Sequence, residues 1–100
     1  MAKQSMIQRE IKREALIEKY KNKRKEIKKL LKTTQDFQST INLQKKLQQI
    51  PRNSMKCRHR NRCWMTGRSK GVYSDFGLSR HVFREMSHLG LLPGIKKSSW

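Results

Sequence analysis

Five residues of this 100-residue chain have side chains suited to holding a transition metal: Cys57, His59, Cys63, His81 and His88. Zinc takes Cys and His ligands, and a structural site draws them from close pairs separated by a loop. Here C-x5-C stands alone, and His81 and His88 lie seven apart on one predicted helix. The spacing favours two free thiols and three surface or partner-facing imidazoles, with no metal and no other cofactor. Acid–base chemistry has as little to work with. Asp75 and Glu85 are the only acidic residues of the second half, no Ser/His/Asp set accompanies them, and Glu85 reads as an ion-pair partner for a neighbouring Arg. Gly67, Gly71 and Gly77 form no phosphate-loop pattern and read as turn residues. No enzyme is indicated.

A basic series carries more information. Arg52, Arg58, Arg60, Arg62, Arg68, Lys70, Arg80 and Arg84 are interleaved with Asn53, Asn61, His59, Trp64 and Tyr73. In an extended segment, alternating arginines at 58, 60 and 62 point one way, as a comb against a phosphate backbone. Aromatic rings and Arg planes between them stack on unpaired bases, which is how folded RNA is read. The whole chain carries 25 Lys+Arg against 7 Asp+Glu, a net charge of +18, with only 34% hydrophobic residues. That balance rules out a large self-sufficient core and favours a chain that orders on a polyanion, most commonly a nucleic acid. The first half is mostly Lys and the second mostly Arg. Lys is a mobile point charge and Arg a planar fork, so the first half is expected to anchor and the second to orient.

These residues need elements to position them. From Lys3 to about Thr34 there is neither Pro nor Gly, and the composition predicts one long helix of about 45 Å. Its apolar stripe, Ile7, Ile11, Ala15/Leu16, Tyr20, Ile27 and Leu31, is narrow and hemmed by Lys and Arg. Asp36 is placed to cap a second helix that Pro51 ends. Residues 51–62 have no periodicity and are expected to lie irregular and extended along the partner. Residues 63–100 hold the only candidate core, with a short extended piece at Val72-Tyr73. Ser79 is positioned to cap a last helix facing inward with Val82, Phe83, Met86 and Leu89, Gly90 stops it, and a basic tail follows. The expected fold is mainly α and extended, in three parts: a helical basic arm (1–50), an Arg-rich segment (51–62) and a compact module (63–100). No stretch approaches the roughly 20 apolar residues of a membrane span, no secretory or transit signal is visible, and both thiols are expected reduced.

Taken in order, Pro51-Arg-Asn-Ser54, Arg60-Asn-Arg-Cys63, Thr66-Gly-Arg68, Tyr73-Ser-Asp-Phe-Gly-Leu-Ser79, Phe83-Arg-Glu85, Leu91-Leu-Pro-Gly94 and Lys96-Lys-Ser-Ser-Trp100 form a signature. It resembles that of the fourteenth small-subunit ribosomal protein, the S-fourteen family. Met1-Ala-Lys, Ile7-Gln-Arg-Glu10 and Lys19-Tyr20 extend the resemblance into the first half, in the style of the family's long form. A short form holds a structural zinc with two C-x-x-C pairs, whose four positions fall here on Cys63, Thr66, Ser79 and Val82. The resemblance therefore implies a zinc-ribbon-like module without zinc, clamped by Val82, Phe83, Met86 and Trp64, with Cys63 as a small core filler.

The family implies a structural constituent of the small ribosomal subunit. It binds small-subunit ribosomal RNA in the head, near the decoding site, beside the third, tenth and nineteenth small-subunit proteins, and supports assembly. Carried over residue by residue, Arg52, Asn53, Arg60, Asn61, Arg62, Arg68, Arg84, Lys96, Lys97 and Trp100 are the implied RNA contacts, to which the basic series adds Arg58, Lys70 and Arg80. Ser69-Lys70 replaces the commoner Pro-Arg, which turns a forked phosphate contact into a point charge. The opening and closing motifs most resemble plastid versions, then mitochondrial ones, with a free-living bacterium third. Two rivals fare worse. A zinc-dependent nucleic-acid-binding regulator needs ligands that Thr66 and Val82 do not supply, and a membrane-active cationic helix needs a clean apolar face.

Overall fold

The computed structural model describes residues 2–98, so Trp100 of the basic tail lies outside the described residues. It is mainly helical, with helices α1 (Gln4–Thr33), α2 (Phe37–Gln49) and α3 (Arg80–His88) and a two-residue hairpin of β1 (Val72–Tyr73) and β2 (Leu78–Ser79). Two compact units emerge. One holds Gln8–His59; the other holds the residues up to Ile7 and those from Arg60 onward.

Within Gln8–His59, α1 runs uninterrupted because no Pro or Gly breaks it, although its apolar residues do not gather on one side. Ile27 is buried while Ile11 and Leu30 are half exposed. The helix ends where the hydroxyls of Thr33 and Thr34 donate to the carbonyl of Leu30, at 3.1 and 2.7 Å. Asp36 caps α2 as expected, its carboxylate accepting from the Ser39 N–H at 3.3 Å and the Ser39 hydroxyl at 2.9 Å. Pro51 then closes α2 behind Ile50, which is buried and lines a cleft together with Tyr20, Ile27 and Leu43.

The segment after Pro51 differs from its expected extended form. It makes two single turns of 3-10 helix, Arg52–Ser54 and Lys56–Arg58. The first is held by Arg24, whose Nε and Nη2 donate to the Ser54 hydroxyl at 3.0 and 2.9 Å, and whose Nη2 also donates to the Pro51 carbonyl at 3.2 Å. Ser54 Oγ donates in turn to that carbonyl, so a buried hydroxyl is fully satisfied and the turn is pinned to α1.

In the other unit, β1 and β2 pair antiparallel with Val72 opposite Ser79 and Tyr73 opposite Leu78. The last residue before β2 is Gly77, at φ 65°, a conformation that needs glycine. Ser79 caps α3 by accepting from the Val82 N–H at 3.5 Å. The helix closes in a Schellman arrangement: Leu91 N–H donates to Met86 O at 3.0 Å and Gly90 N–H to Ser87 O at 3.2 Å, with Gly90 at φ 70°. The core is small. Cys63, Leu78 and Val82 are buried, and Phe76, Phe83, Met86 and Leu92 pack against them.

Two expected core members lie outside it. Leu89 is 73% exposed because it is the residue on which α3 ends; Leu92, after the turn, packs on the core instead. Trp64 is 69% exposed. Its N–H donates to Gly77 O at 3.1 Å, which faces Cys63 inward and sends the neighbouring ring outward over Gly77. Leu78, not Trp64, completes the clamp with Val82.

Candidate nucleic-acid interface

The basic residues divide between the two units. In Gln8–His59, Arg52 and Asn53 sit exposed on the first 3-10 turn, and Arg58 ends the second with its Nη1 donating to Asn53 Oδ1 at 3.2 Å. In the other unit, Arg60 and Asn61 are exposed, Arg62 is half-buried, and Arg68, Lys70, Arg80, Arg84, Lys96 and Lys97 are exposed. Arg58 closes a 3-10 turn instead of lying in an extended segment. Arg58 is turned toward Asn53 by its 3-10 turn, and Arg62 is drawn inward by donating from Nη1 to the Gly67 carbonyl at 2.9 Å. Arg62 therefore braces the turn that carries Arg68. Arg68 is held as well, its Nε donating to the Lys70 carbonyl at 3.1 Å, which fixes the plane of the guanidinium at the surface.

That turn is built on Gly67. It is buried at φ 75°, and a β-carbon there would come within 2.7 Å of the Ile7 side chain, so both backbone and space require glycine. Arg80 opens α3 with its aliphatic stem lying against Gly71. Glu85 was expected to pair with an Arg but makes no ion pair among the described residues. Its neighbours three and four positions away on α3 are His81, Val82, His88 and Leu89, none of them Arg or Lys.

The contacts of three supporting residues are not visible in the sequence. Arg24 looks like any other cation of α1, and only its contact with Ser54, 30 positions away, shows that it sets the P-R-N-S turn. Glu10 pairs with Arg13, three positions on, at 3.0 Å, and is also buried with His59 beside it. Nδ1 of His59 lies 2.8 Å from Glu10 Oε1, close enough for a charge pair though off the direction of a ring N–H hydrogen bond. Nε2 lies 3.9 Å from Glu14. The residue just before Arg60 is thus seated among carboxylates, in a chain of opposite net sign.

The four positions that carry zinc ligands in the short form do come together. Cys63 and Val82 share the core, and the Cys63 sulfur accepts from the Thr66 hydroxyl and the Ser79 N–H. Only one of the four is a ligand, so these residues do not fit a zinc ion. Among the described residues no group of three His, Cys, Asp or Glu is placed to hold a metal.

What survives is the hydrogen bonding around the sulfur. Burial pushes the Cys63 thiol up, but the Thr66 hydroxyl and the backbone N–H groups of Ser79, Thr66 and Met65 outweigh it and hold the pKa at about 7 against an ordinary 9.0. A pKa lower in the folded than in the unfolded chain adds stability that is complete above pH 9 and lost as pH falls through 7. The melting temperature is therefore expected to rise from pH 7 to pH 9, and Cys63→Ala to remove that rise. An equal rise in the variant would show that the thiolate is not its source.

Comparisons with known proteins point to one family. The family described as Ribosomal protein S14p/S29e matches residues 46–99. Over the full length of both chains, this one is 66% identical to small ribosomal subunit protein uS14c of Porphyra purpurea and 62% identical to that of Emiliania huxleyi. It is 59% identical, again over the whole of both, to small ribosomal subunit protein uS14 of the cyanobacterium Gloeothece citriformis. Likeness of this extent defines a structural protein of the translation machinery, not an enzyme. The chain belongs to the uS14 family of small-subunit ribosomal proteins.

Proposed function

We propose that the chain is a structural constituent of the small subunit of a plastid ribosome, where it holds small-subunit ribosomal RNA in the head and supports assembly near the decoding site. The single observation that carries this is full-length identity of 66% to a uS14c protein. Charge and packing fit the role: a net +18 and, in the unit that carries Arg60, Arg62, Arg68, Arg80 and Arg84, a core of three buried side chains suit a protein whose surface is completed by a polyanion. Most of the similar proteins are uS14c forms, which favours the plastid, while the cyanobacterial relative is nearly as similar at 59%. The third, tenth and nineteenth small-subunit proteins are the proposed neighbours.

Arg52 and Asn53 of the pinned turn, Arg58 of the next, Arg60 and Asn61, Arg62 and Arg68 of the glycine turn, Lys70, Arg80 and Arg84, and Lys96, Lys97 and Trp100 of the tail are the proposed contacts. If about ten phosphates are neutralised, the log-log slope of affinity against salt is expected between roughly −7 and −9. Arg52→Ala should weaken binding to full-length small-subunit RNA and reduce that slope by about one, without loss of helix. Filter binding across a salt series measures both, and a slope near zero for the wild-type chain would refute electrostatic anchoring. Co-sedimentation with small subunits from isolated plastids tests the compartment; its failure there and success with mitochondrial subunits would overturn the plastid assignment.

A further inference from the structure

We infer that the cleft between α1 and α2 seats a segment of a neighbouring small-subunit protein, one that brings an apolar side chain flanked by a carboxylate. The inference rests on the ribosomal role proposed above and assigns one surface of it to protein instead of RNA. The cleft lies wholly within the Gln8–His59 unit and measures about 520 Å³. Its walls are largely apolar, formed by Tyr20, Ile27 and Leu30 on α1, Leu43 on α2, and Ile50 at the cap of α2. Two helices that satisfied each other would bury such walls. Here α2 contains no buried residue and Leu30 is 51% exposed, although Ile27 and Ile50 are enclosed. The spacing explains the gap: Tyr20, Lys23, Ile27 and Leu30 recur at three and four residues, as do Leu43, Lys46 and Ile50. Each helix thus puts a lysine where an apolar residue would close the packing, and a lysine keeps its ammonium in water.

Wall chemistry and charge together select the occupant. Four of the five apolar residues are aliphatic, whereas an unpaired base is held by stacking on aromatic faces. Glu26 lines the same cleft and repels a phosphate chain. An apolar side chain of a protein suits these walls, because covering Leu30 and its neighbours removes aliphatic surface from water. Lys23 and Lys46 are exposed on the lining and make no ion pair among the described residues. A carboxylate beside the apolar side chain supplies the charge they lack and fixes the register of the segment.

The test places a photoreactive benzophenone amino acid at Gln49, an exposed residue of the lining, in the full chain assembled into small subunits. Mass spectrometry of the cross-linked material is expected to identify one protein segment with an aliphatic or aromatic residue and a neighbouring Asp or Glu. Leu30→Ser is expected to lower the yield of that cross-link about tenfold, while affinity of the free chain for full-length small-subunit RNA stays within about twofold. Lys46→Glu should lower the yield similarly, and exchange of the partner's carboxylate for Lys should restore it. Both substituted residues are exposed, and far-ultraviolet circular dichroism checks that the helices remain. A cross-link to RNA, a segment without a carboxylate, or a yield within twofold of the unsubstituted chain for either variant overturns the inference. So does the absence of any cross-link from subunits that contain the chain. If the chain does not enter small subunits at all, it is the broader role that fails, a result separate from any of these.

Discussion

Leu78→Ala is expected to cost about 3 to 5 kcal/mol and to unfold the unit that contains α3 at physiological temperature. Leu78 is 1% exposed and is the largest of the fully buried side chains. It sits opposite Tyr73 in the hairpin and immediately before the Ser79 cap, so its loss empties the core at the point where hairpin and helix join. A larger protein relaxes into such a cavity by shifting its neighbours. Among the described residues of this unit, Cys63 and Val82 are the only other buried apolar side chains, and little remains to fill the space. Leu78→Met conserves volume and should cost less than about 1.5 kcal/mol. Urea unfolding followed by near-ultraviolet circular dichroism of the Tyr73, Phe76 and Phe83 rings measures both. A loss below 1 kcal/mol for the alanine variant would mean that the described core does not hold the unit together.

The size of that effect explains what the sequence could and could not disclose. Elements governed by local rules were legible. Asp36 and Ser79 cap helices because a short polar side chain precedes an apolar periodic run, and Gly90 ends α3 because only a residue without a β-carbon takes its conformation easily. The position of Cys63 beside Thr66, Ser79 and Val82 was legible through the family's spacing. Trp64 was not: large apolar residues are usually inside, and only the bond from its N–H to Gly77 shows that the chain direction there faces the smaller Cys63 inward. Nor was the comb. Alternate residues share a side only if the segment is extended, and Arg58 instead ends a 3-10 turn that follows one pinned from 30 residues away by Arg24, an unremarked cation in a helix full of them. The basic residues could be named from composition, but the contacts that aim them are long-range.

Replacing Thr66, Ser79 and Val82 with cysteine in one chain is expected to convert this core into a zinc site and to make the unit's stability depend on metal. Three facts support the outcome. The four positions already converge around the Cys63 sulfur, through the Thr66 hydroxyl, the Ser79 N–H and the packing of Val82. Their spacing, two pairs each separated by two residues, is that of a tetrathiolate site. The N–H groups of Met65 and Thr66 that lower the Cys63 pKa to about 7 also favour the thiolate form that zinc requires. Without metal the variant should be less stable than wild type by roughly 1 to 3 kcal/mol, from loss of the Ser79 cap and of buried valine surface. With zinc it should exceed wild type, because structural zinc sites contribute on the order of 10 kcal/mol to folding. One zinc per chain, a melting temperature that falls on addition of a chelator, and no such response in wild-type protein are the expected measurements. A triple variant that is destabilised and takes up no zinc would show that hydrogen bonds and packing hold these four positions in an arrangement that four thiolates around a metal cannot adopt.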